Sequence, residues 1–364
     1  MLSRDAVRRL CVELQSAGIR FPETMPGRAG GAGPADSRVI IIDGYCLSVP
    51  ACSWFVAESP YRATPDAAGG FRLYHLDTFL CTLQSPETPE LYRHTTESGT
   101  PYEKIALLHG RDCLATTLYQ DCRYRSEGRQ CQFCGIGLSL SAGSTVLQKQ
   151  PLELAEVAGY AAGNSQATHV TLTSGSRDDE QAATSHLAEC VRMIKLHSGL
   201  PVHMQICPPE SSDVLEKLHA AGVDTIGLHI ETFCMETLKR VAPAKAAYGF
   251  DRYRAGWQQA VELFGINQVS SFLIAGLGES AASLIDGAHQ LCRMGVYPYV
   301  LPLRPVPGTP LGNERPPAAS VMVEVYSAVA ALLKEYGMTS KAVRAGCVRC
   351  GACSCLSLFE DGKP

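Results

Sequence analysis

The sequence predicts an α/β fold: a partial (βα)6 TIM-like barrel with an N-terminal β/loop extension and a C-terminal cysteine-rich segment. Three observations predict it. From about residue 106 onward, apolar β-prone segments alternate with amphipathic segments of ten or more residues, the pattern of βα units and a parallel sheet. There are six such strands, fewer than the eight of a closed barrel. The composition, 46% hydrophobic and 19% charged, indicates a well-buried globular chain.

The N-terminal extension, residues 1–105, does not follow this alternation. It begins with apolar side chains at helical spacing, and "VIIIDGYCLSVP" (39–50) predicts a β-hairpin with Asp43-Gly44 at its turn. The segment "GFRLYHLDTFLCTLQSP" predicts a further strand pair. The stretch "RAGGAGPAD" (28–36) is interpreted as a linker, because no strand precedes it as a dinucleotide-binding fingerprint would require. We expect this extension to cover the barrel mouth.

The core is predicted at residues 106–316. Its parallel strands are expected at 113–119, 169–175, 202–206, 225–231, 269–279 and 299–305. Its helices are expected at 151–163, 181–199, 212–222, 251–264 and 283–295. The remaining residues, 317–364, are predicted to form one amphipathic helix at 320–337 and then a cysteine-rich segment.

Charge and hydropathy exclude several classes of partner. A net charge of −4 offers no electrostatic attraction for nucleic acid or an anionic membrane, so a tRNA-modifying role is disfavoured. No apolar run reaches the roughly 20 residues of a membrane helix, and charges interrupt the N-terminus before any secretory signal forms. We therefore expect a cytoplasmic protein without nucleic-acid or membrane partners.

Sixteen cysteines are many for a chain in a reducing compartment. Eight are scattered within mostly apolar segments and are interpreted as small buried hydrophobes: Cys11, Cys46, Cys52, Cys81, Cys190, Cys207, Cys234 and Cys292. The others form two groups: Cys113, Cys122, Cys131 and Cys134, then Cys347, Cys350, Cys353 and Cys355. Where disulfides are disfavoured, such grouping indicates metal binding.

The first group follows the first barrel strand in "CRYRSEGRQCQFCGIG" (122–137). Thiolates select zinc or iron–sulfur clusters, and a structural zinc site needs four ligands. Cys122, Cys131 and Cys134 make three, which on a four-iron cluster leaves one iron open to another molecule. Cys113 could supply a fourth ligand, or replace Cys122 as the first, although it lies about a strand length away from this loop. A zinc site remains the alternative.

Five motifs at successive strand ends give a resemblance to a known family. After "CQFC" come "TLTSG" (171–175), "GLHIET" (227–232), "FLIAGLGE" (272–279) and "RPVPGTPL" (304–311). In this order they resemble the radical S-adenosylmethionine (SAM) superfamily, nearest to its biotin synthase-like branch. The usual first interval of the cysteine motif is C-x3-C, whereas eight residues separate Cys122 and Cys131.

The resemblance implies a partial barrel that binds a [4Fe-4S] cluster and SAM. Cys122, Cys131 and Cys134 would hold the cluster, whose low-potential electron cleaves SAM to a 5′-deoxyadenosyl radical that abstracts hydrogen from a small-molecule substrate. Flavodoxin or ferredoxin would supply the electron, and Arg304 is a candidate for binding a substrate carboxylate. The implied SAM contacts are Phe133, Thr173, Ser174, Gly175, His229, Glu231, Ile274 and Gly276.

The second group, "CVRCGACSC", resembles the spacing of ferredoxin-type ligands. It predicts a second, auxiliary [4Fe-4S] cluster on Cys347, Cys350 and Cys353, with Cys355 as an alternative further ligand. A zinc knuckle on all four is the alternative. An auxiliary cluster would bind substrate, relay an electron or give up sulfide, and the sequence leaves these three roles open.

Three longer segments, "ALLHGRDCLATT", "CQFCGIGLSL" and "CVRCGACS", resemble the radical SAM subfamily of bacterial Nit1-type nitrilase gene clusters. That resemblance narrows the class but not the substrate. The competing hypothesis is an iron–sulfur electron-transfer or scaffold protein without SAM chemistry, which would not need a pocket for SAM.

Overall fold

The fold is taken from a computed structural model that describes residues 3–22, 37–67 and 69–360. The predicted linker at 28–36 lies outside these residues. The N-terminal part contains one helix and two small antiparallel sheets. Its elements are α1 (Arg4–Ala17), β1 (Ser37–Ile42), β2 (Tyr45–Pro50), β3 (Tyr61–Pro65), β4 (Phe71–His75) and β5 (Thr78–Leu83).

The predicted hairpin is the β1–β2 pair, in which Ile42 pairs with Tyr45. Asp43 and Gly44, between them, both have positive φ angles, +46° and +82°, as the tight turn of a two-residue hairpin requires. The predicted strand pair is β4–β5, and β3, which the sequence analysis missed, adds a third strand to that sheet.

The core is a half-barrel built on one seven-stranded sheet. In chain order its elements are α2 (Tyr102–Ile105), β6 (Leu107–His109), β7 (Cys113–Thr117), α3 (Arg123–Ser126), α4 (Leu138–Ser141), α5 (Pro151–Gly163), β8 (His169–Thr173), α6 (Glu180–Ser198), β9 (Val202–Ile206), α7 (Asp213–Ala220), β10 (Thr225–Leu228), α8 (Met235–Val241), α9 (Pro243–Phe264), β11 (Val269–Ala275), α10 (Ala281–Arg293) and β12 (Val296–Pro302).

The strands lie in sequence order, from β6 at one edge to β12 at the other. All neighbours from β7 to β12 are parallel, so the prediction of a six-stranded partial barrel is confirmed. The short strand β6 pairs antiparallel with β7 and makes the sheet seven-stranded. Parallel pairing brings all six carboxyl ends to one edge of the sheet, where the predicted site residues follow the strands.

Several predicted boundaries were wrong. The last strand begins at Val296, three residues before the predicted start, because proline residues within the segment obscured its apolar run. The fourth strand ends at Leu228, and the chain returns to the sheet only through a single bridge between Glu231 and Leu273. Helices α8 and α9 fill residues 235–264, of which only 251–264 was predicted, and Gly249 kinks α9 with a φ of +73°.

The C-terminal part contains α11 (Ala319–Glu335), α12 (Cys347–Cys350) and α13 (Leu356–Glu360). Helix α11 packs on α10 and on α1, which joins the two ends of the chain. The loop after α12 contacts the N-terminal part, because the Ser48 amide and the Gln15 side chain both donate to the Ala352 carbonyl. Among the described residues, no helix is long and apolar enough to cross a membrane.

Candidate active site

One cavity of about 420 Å³ lies against the half-barrel sheet. Side chains from β7 to β12 and the loops after them line it, together with part of the C-terminal segment. All three thiols of the predicted first cluster, Cys122, Cys131 and Cys134, face this cavity. Cys347 and Cys353 of the second group line it as well. Both predicted clusters therefore adjoin one shared space.

The loop that carries Cys122 is held by the end of β8. The amide of Gly175 donates to the Tyr119 carbonyl at 3.0 Å, and the amide of Arg123 donates to the Ser176 carbonyl at 2.9 Å. A Cβ atom on residue 175 would overlap the Asp121 carbonyl, directly before Cys122. Glycine is thus required at 175 for close packing of the two segments.

Cys122, Cys131 and Cys134 are half-buried. Burial raises the pKa of all three, although Lys245 lowers those of Cys131 and Cys134 and backbone hydrogen bonds lower that of Cys122. Cysteine binds metal as the thiolate, so these thiols would release protons when iron binds. Three thiols that line one cavity are the donor set that a cluster with one open iron would use.

His229 presents an unsatisfied donor. It is 9% exposed, and its ring stacks on Phe272 with centroids 3.7 Å apart. Its Nδ1 accepts a hydrogen bond from the Phe272 amide at 3.2 Å, which places the ring proton on Nε2. Burial, and after it Lys245, lowers the pKa well below the usual histidine value, so the ring is neutral. The buried Nε2 has no partner within the described residues.

Glu231 and Lys245 form a buried ion pair in the cavity. The Lys245 ammonium donates to Glu231 Oε1. It also donates to the His229 carbonyl, at 2.7 Å. Burial is the largest single effect and lowers the Lys245 pKa, but Glu231, together with Tyr253, Cys131 and Cys207, raises the pKa to well above the ordinary value. Glu231 Oε2 is buried and accepts no hydrogen bond in the described part of the chain. Two buried polar atoms of the described residues, His229 Nε2 and Glu231 Oε2, are thus available to hydrogen-bond a polar ligand.

The remaining predicted SAM contacts line the cavity, with the exception of Gly276. Phe133, Thr173, Ser174 and Ile274 line the cavity, as Gly175 does. Gly276 is not among the lining residues; its φ is +98°, and a Cβ there would press on Pro317 and Leu303. Gly276 is thus explained by packing beneath the site.

Arg304 lines the cavity, but its guanidinium also has other partners. It donates to Ser37 Oγ at 2.6 Å, to Ser48 Oγ at 3.2 Å and to the Ser48 carbonyl. Burial lowers its pKa, while Cys353 raises it. Arg304 is therefore hydrogen-bonded to the β1–β2 hairpin, which contacts the chain just after the end of β12.

Sequence reasoning missed several cavity residues, among them Lys245 and Cys207. Lys245 is on α9, inside a helix with no motif, and only its distance from Glu231 in the fold reveals it. Cys207, at the end of β9, was interpreted as a buried hydrophobe, yet it lines the cavity and lies 3.5 Å from Ser176 Oγ. The scattered cysteines are not uniformly buried: Cys11, Cys190 and Cys292 are, whereas Cys52 is exposed.

Cys350 of the second cysteine group and Cys113 lie together at the amino end of β7, opposite to the end that leads to Cys122. Cys350 Sγ is 3.8 Å from the carbonyl of His109, the residue that pairs with Cys113. Cys355 is separate, because its thiol donates to Gln15 Oε1 at 3.2 Å. Within the described ranges, no three His, Cys, Asp or Glu side chains converge on a single metal ion.

Comparison with known proteins identifies the domain around this cavity. Residues 117–291 match the family model of the radical SAM superfamily. The chain carries a radical SAM domain. The domain includes β8 to β11 and the loop of Cys122, Cys131 and Cys134. The protein is therefore an enzyme of SAM-dependent radical chemistry, a class that uses a [4Fe-4S] cluster, SAM, a reductant and a small-molecule substrate.

The chain is also similar to a curated enzyme and to solved structures. The bacteriochlorophyllide c C-7(1)-hydroxylase of Chlorobaculum limnaeum is 24% identical over 350 residues, 90% of this chain and 84% of the relative. Methylornithine synthase (PylB) is 18% identical with a TM-score of 0.48, over 63% of this chain and 64% of that one. HydG, a maturase of the [FeFe]-hydrogenase, is 16% identical with a TM-score of 0.47, over 65% and 53%. The chain thus spans less than two thirds of these two solved structures.

Proposed function

We propose that Cys122, Cys131 and Cys134 hold the [4Fe-4S] cluster of the radical SAM domain and that SAM occupies the adjoining cavity. The observation that carries this proposal is the shared lining: the three thiols and the strand-end residues of β8, β10 and β11 face one space. When bound, the cluster and SAM supply the 5′-deoxyadenosyl radical. The protein's own contribution is binding, orientation and exclusion of water.

The polar end of SAM matches the polar atoms that lack partners. Glu231 Oε2 accepts hydrogen bonds from the methionine ammonium or the ribose hydroxyls, and the neutral His229 donates from Nε2. Lys245 pairs with Glu231 and adds positive charge near the cluster thiols. Thr173, Ser174 and Gly175 bind the methionine portion from the end of β8. Phe133 and Ile274 provide the apolar surfaces for adenine, and Gly276 supports Leu303 of the cavity wall.

The substrate is a small molecule that gives up hydrogen from an unactivated C–H bond. The relative's name as a hydroxylase supports a reaction at such a bond. Arg304 is the candidate for a substrate carboxylate, at the part of the cavity that adjoins Cys353. Cys347, Cys350 and Cys353 hold the second cluster. Flavodoxin or ferredoxin in the cytoplasm supplies the electron.

The test is anaerobic reconstitution with iron and sulfide, then iron counting and assay of 5′-deoxyadenosine after addition of dithionite and SAM. Wild type should bind about eight irons and form deoxyadenosine. The Cys122→Ala/Cys131→Ala/Cys134→Ala variant should lose about four irons and all deoxyadenosine formation.

A matched control is Cys52→Ala/Cys81→Ala/Cys234→Ala, which removes three thiols outside the cavity lining and should retain iron and activity. Stoichiometric zinc without iron in the wild type would contradict the proposal. Retention of all iron by the first variant would show that other residues hold the cluster.

A further inference from the structure

We propose that Cys113 is the fourth protein ligand of the second cluster and closes it together with Cys347, Cys350 and Cys353. This inference rests on the proposed function in one respect: it takes the C-terminal segment to hold a cluster. The four residues come from opposite parts of the chain, the first parallel strand and the last cysteine-rich segment.

Cys113 lies on the cavity side of the sheet. It is the first residue of β7, 2% exposed, and it alternates with Ala115 and Thr117, which line the cavity. Its thiol lies 3.2 Å from the hydroxyl of Thr171, another lining residue on β8. It therefore faces the interior at the amino end of the strand, whereas Cys122 follows the carboxyl end.

Cys350 lies against the strand pair that carries Cys113: its Sγ is 3.8 Å from the carbonyl of His109, which pairs with Cys113 across β6 and β7. The turn between β6 and β7 is shaped around this contact, because a Cβ atom on Gly110 would lie 2.7 Å from Cys350 Sγ. Cys113 is thus placed beside Cys350, one of the three predicted ligands.

The segment that delivers these ligands is fixed against the neighbouring strands. Gln205 of β9 donates to Cys347 Sγ at 3.3 Å, and Thr225 of β10 donates to the Ala345 carbonyl at 3.2 Å. Gly346 has a φ of +96°, and a Cβ there would overlap the ring of His203. Cys347 therefore enters the cavity from a defined position against β9 and β10.

Two other cysteines are rivals for the fourth position. Cys355 is directed away, because its thiol bonds to Gln15 of α1. Cys46 on β2 lines a small cavity together with Cys350. The position of Cys350 Sγ against His109 and Gly110, at the turn that leads into β7, favours Cys113.

A cluster closed by four cysteines has no open iron for a substrate atom. Four cysteines are the complete ligand set of a [4Fe-4S] cluster. Of the three roles that the sequence left open, coordination of substrate by a free iron is therefore disfavoured, and electron relay or release of sulfide remains. Because Cys347 and Cys353 line the shared cavity, the cluster would still face the substrate space.

The experiment uses the Cys122→Ala/Cys131→Ala/Cys134→Ala protein as the parent, so that all remaining iron belongs to the second cluster. Cys113→Ser, Cys46→Ser, Cys355→Ser and Cys350→Ser are added singly, each protein is reconstituted, and iron and electron paramagnetic resonance spectra are measured. The parent should hold about four irons. Cys113→Ser and Cys350→Ser should lose most of this iron or shift to a three-iron signal, whereas Cys46→Ser and Cys355→Ser should match the parent.

Unchanged iron and spectra in Cys113→Ser would overturn the inference, as would loss in Cys46→Ser alone. A parent without iron would instead refute the second cluster of the proposed function, and the inference would fall with it. Cys113→Val keeps the volume and strand propensity of the position. It should show the same loss of iron while its metal-free form unfolds at the parent's temperature, which separates lost ligation from misfolding.

Discussion

Glu231 has a left-handed backbone conformation, with a φ of +73°, and a side chain only 4% exposed. A left-handed non-glycine residue costs about 1–3 kcal/mol and persists where its surroundings hold it. Here the bridge to Leu273 and the ion pair with Lys245 hold it. The strained backbone brings the carboxylate into the cavity beside the cluster thiols, which explains why glutamate rather than glycine is found at this turn.

Glu231→Gln should weaken SAM binding by about tenfold to hundredfold, because a hydrogen bond to a charged group contributes about 1.5–3 kcal/mol. It also leaves the Lys245 ammonium without its buried counter-charge, which should lower the unfolding temperature. The measurement is SAM affinity by ultrafiltration on the iron-loaded protein. Glu236→Gln, at an exposed position on α8, is the control. Equal SAM affinities in the two variants would contradict a role for Glu231.

Gly175→Ala should impair the first cluster rather than the fold as a whole. The added Cβ would overlap the Asp121 carbonyl, so the loop of Cys122 must move. We expect up to about four irons to be lost per chain, with the second cluster retained. Iron counting and thermal unfolding measure both effects. Gly163→Ala, where nothing lies within 4 Å of the new methyl group, should be neutral. Full iron retention by Gly175→Ala would show that the loop can relax.

At the scale of elements, three buried histidines lie on the cavity side of the sheet: His169 on β8, His203 on β9 and His229 directly after β10. Burial lowers the pKa of His169 to about 4 and that of His203 to about 3. Neighbouring His169 lowers the His203 pKa further, and Nδ1 of His203 lies 2.8 Å from Thr225 Oγ1. The three strands therefore keep neutral imidazoles inside the sheet.

These histidines should make folding stability depend on pH. Between the unfolded pKa of about 6.5 and the lower folded values, only the unfolded chain binds the protons. Stability is thus complete above about pH 6.5 and falls as the pH decreases, by about 1.4 kcal/mol per pH unit for each group. His203→Gln should reduce the loss of unfolding free energy between pH 6 and pH 5 by about 1.4 kcal/mol, the contribution of one histidine. Urea midpoints of the metal-free protein at several pH values, with exposed His75→Gln as control, measure it. An identical pH slope in His203→Gln and wild type would refute this assignment.

At the scale of the whole molecule, both ends of the chain complete the half-barrel. The β1–β2 hairpin binds Arg304 at the end of β12, and its Ser48 amide binds Ala352 beside the second cysteine group. Helix α1 packs against α11. The extension, expected at the barrel mouth, thus contacts the C-terminal segment as well as the end of β12.

Removal of iron should destabilise the C-terminal cysteine-rich segment more than the rest of the half-barrel. A metal that binds only the folded chain stabilises it by mass action, and the segment that supplies the ligands is affected first. Amide exchange at residues 343–358 should accelerate on chelation more than exchange in α6, which supplies no ligand. Hydrogen-exchange mass spectrometry of loaded and metal-free protein measures this. A uniform increase along the chain would indicate a general loss of stability instead.

The sequence by itself determined the six parallel strands, the β1–β2 turn and the grouping of the cysteines. These features follow from local patterns: hydrophobic periodicity, residues that tolerate positive φ, and thiols within one loop. Strand-end residues such as Thr173 and His229 were also accessible, because parallel strands bring their carboxyl ends to one edge. Strand limits were less certain, since the prolines near Tyr299 and the turn at Glu231 break the local pattern.

Only the tertiary structure decided which distant groups meet. Lys245 reaches Glu231 because α9 packs back on the sheet, and a lysine within a helix has no pattern that predicts this. Cys113 was assigned to the first group by its position in the sequence, yet it lies beside Cys350. The physical reason is that a strand separates its two ends by its full length, while the returning chain can bring remote residues into contact at either end.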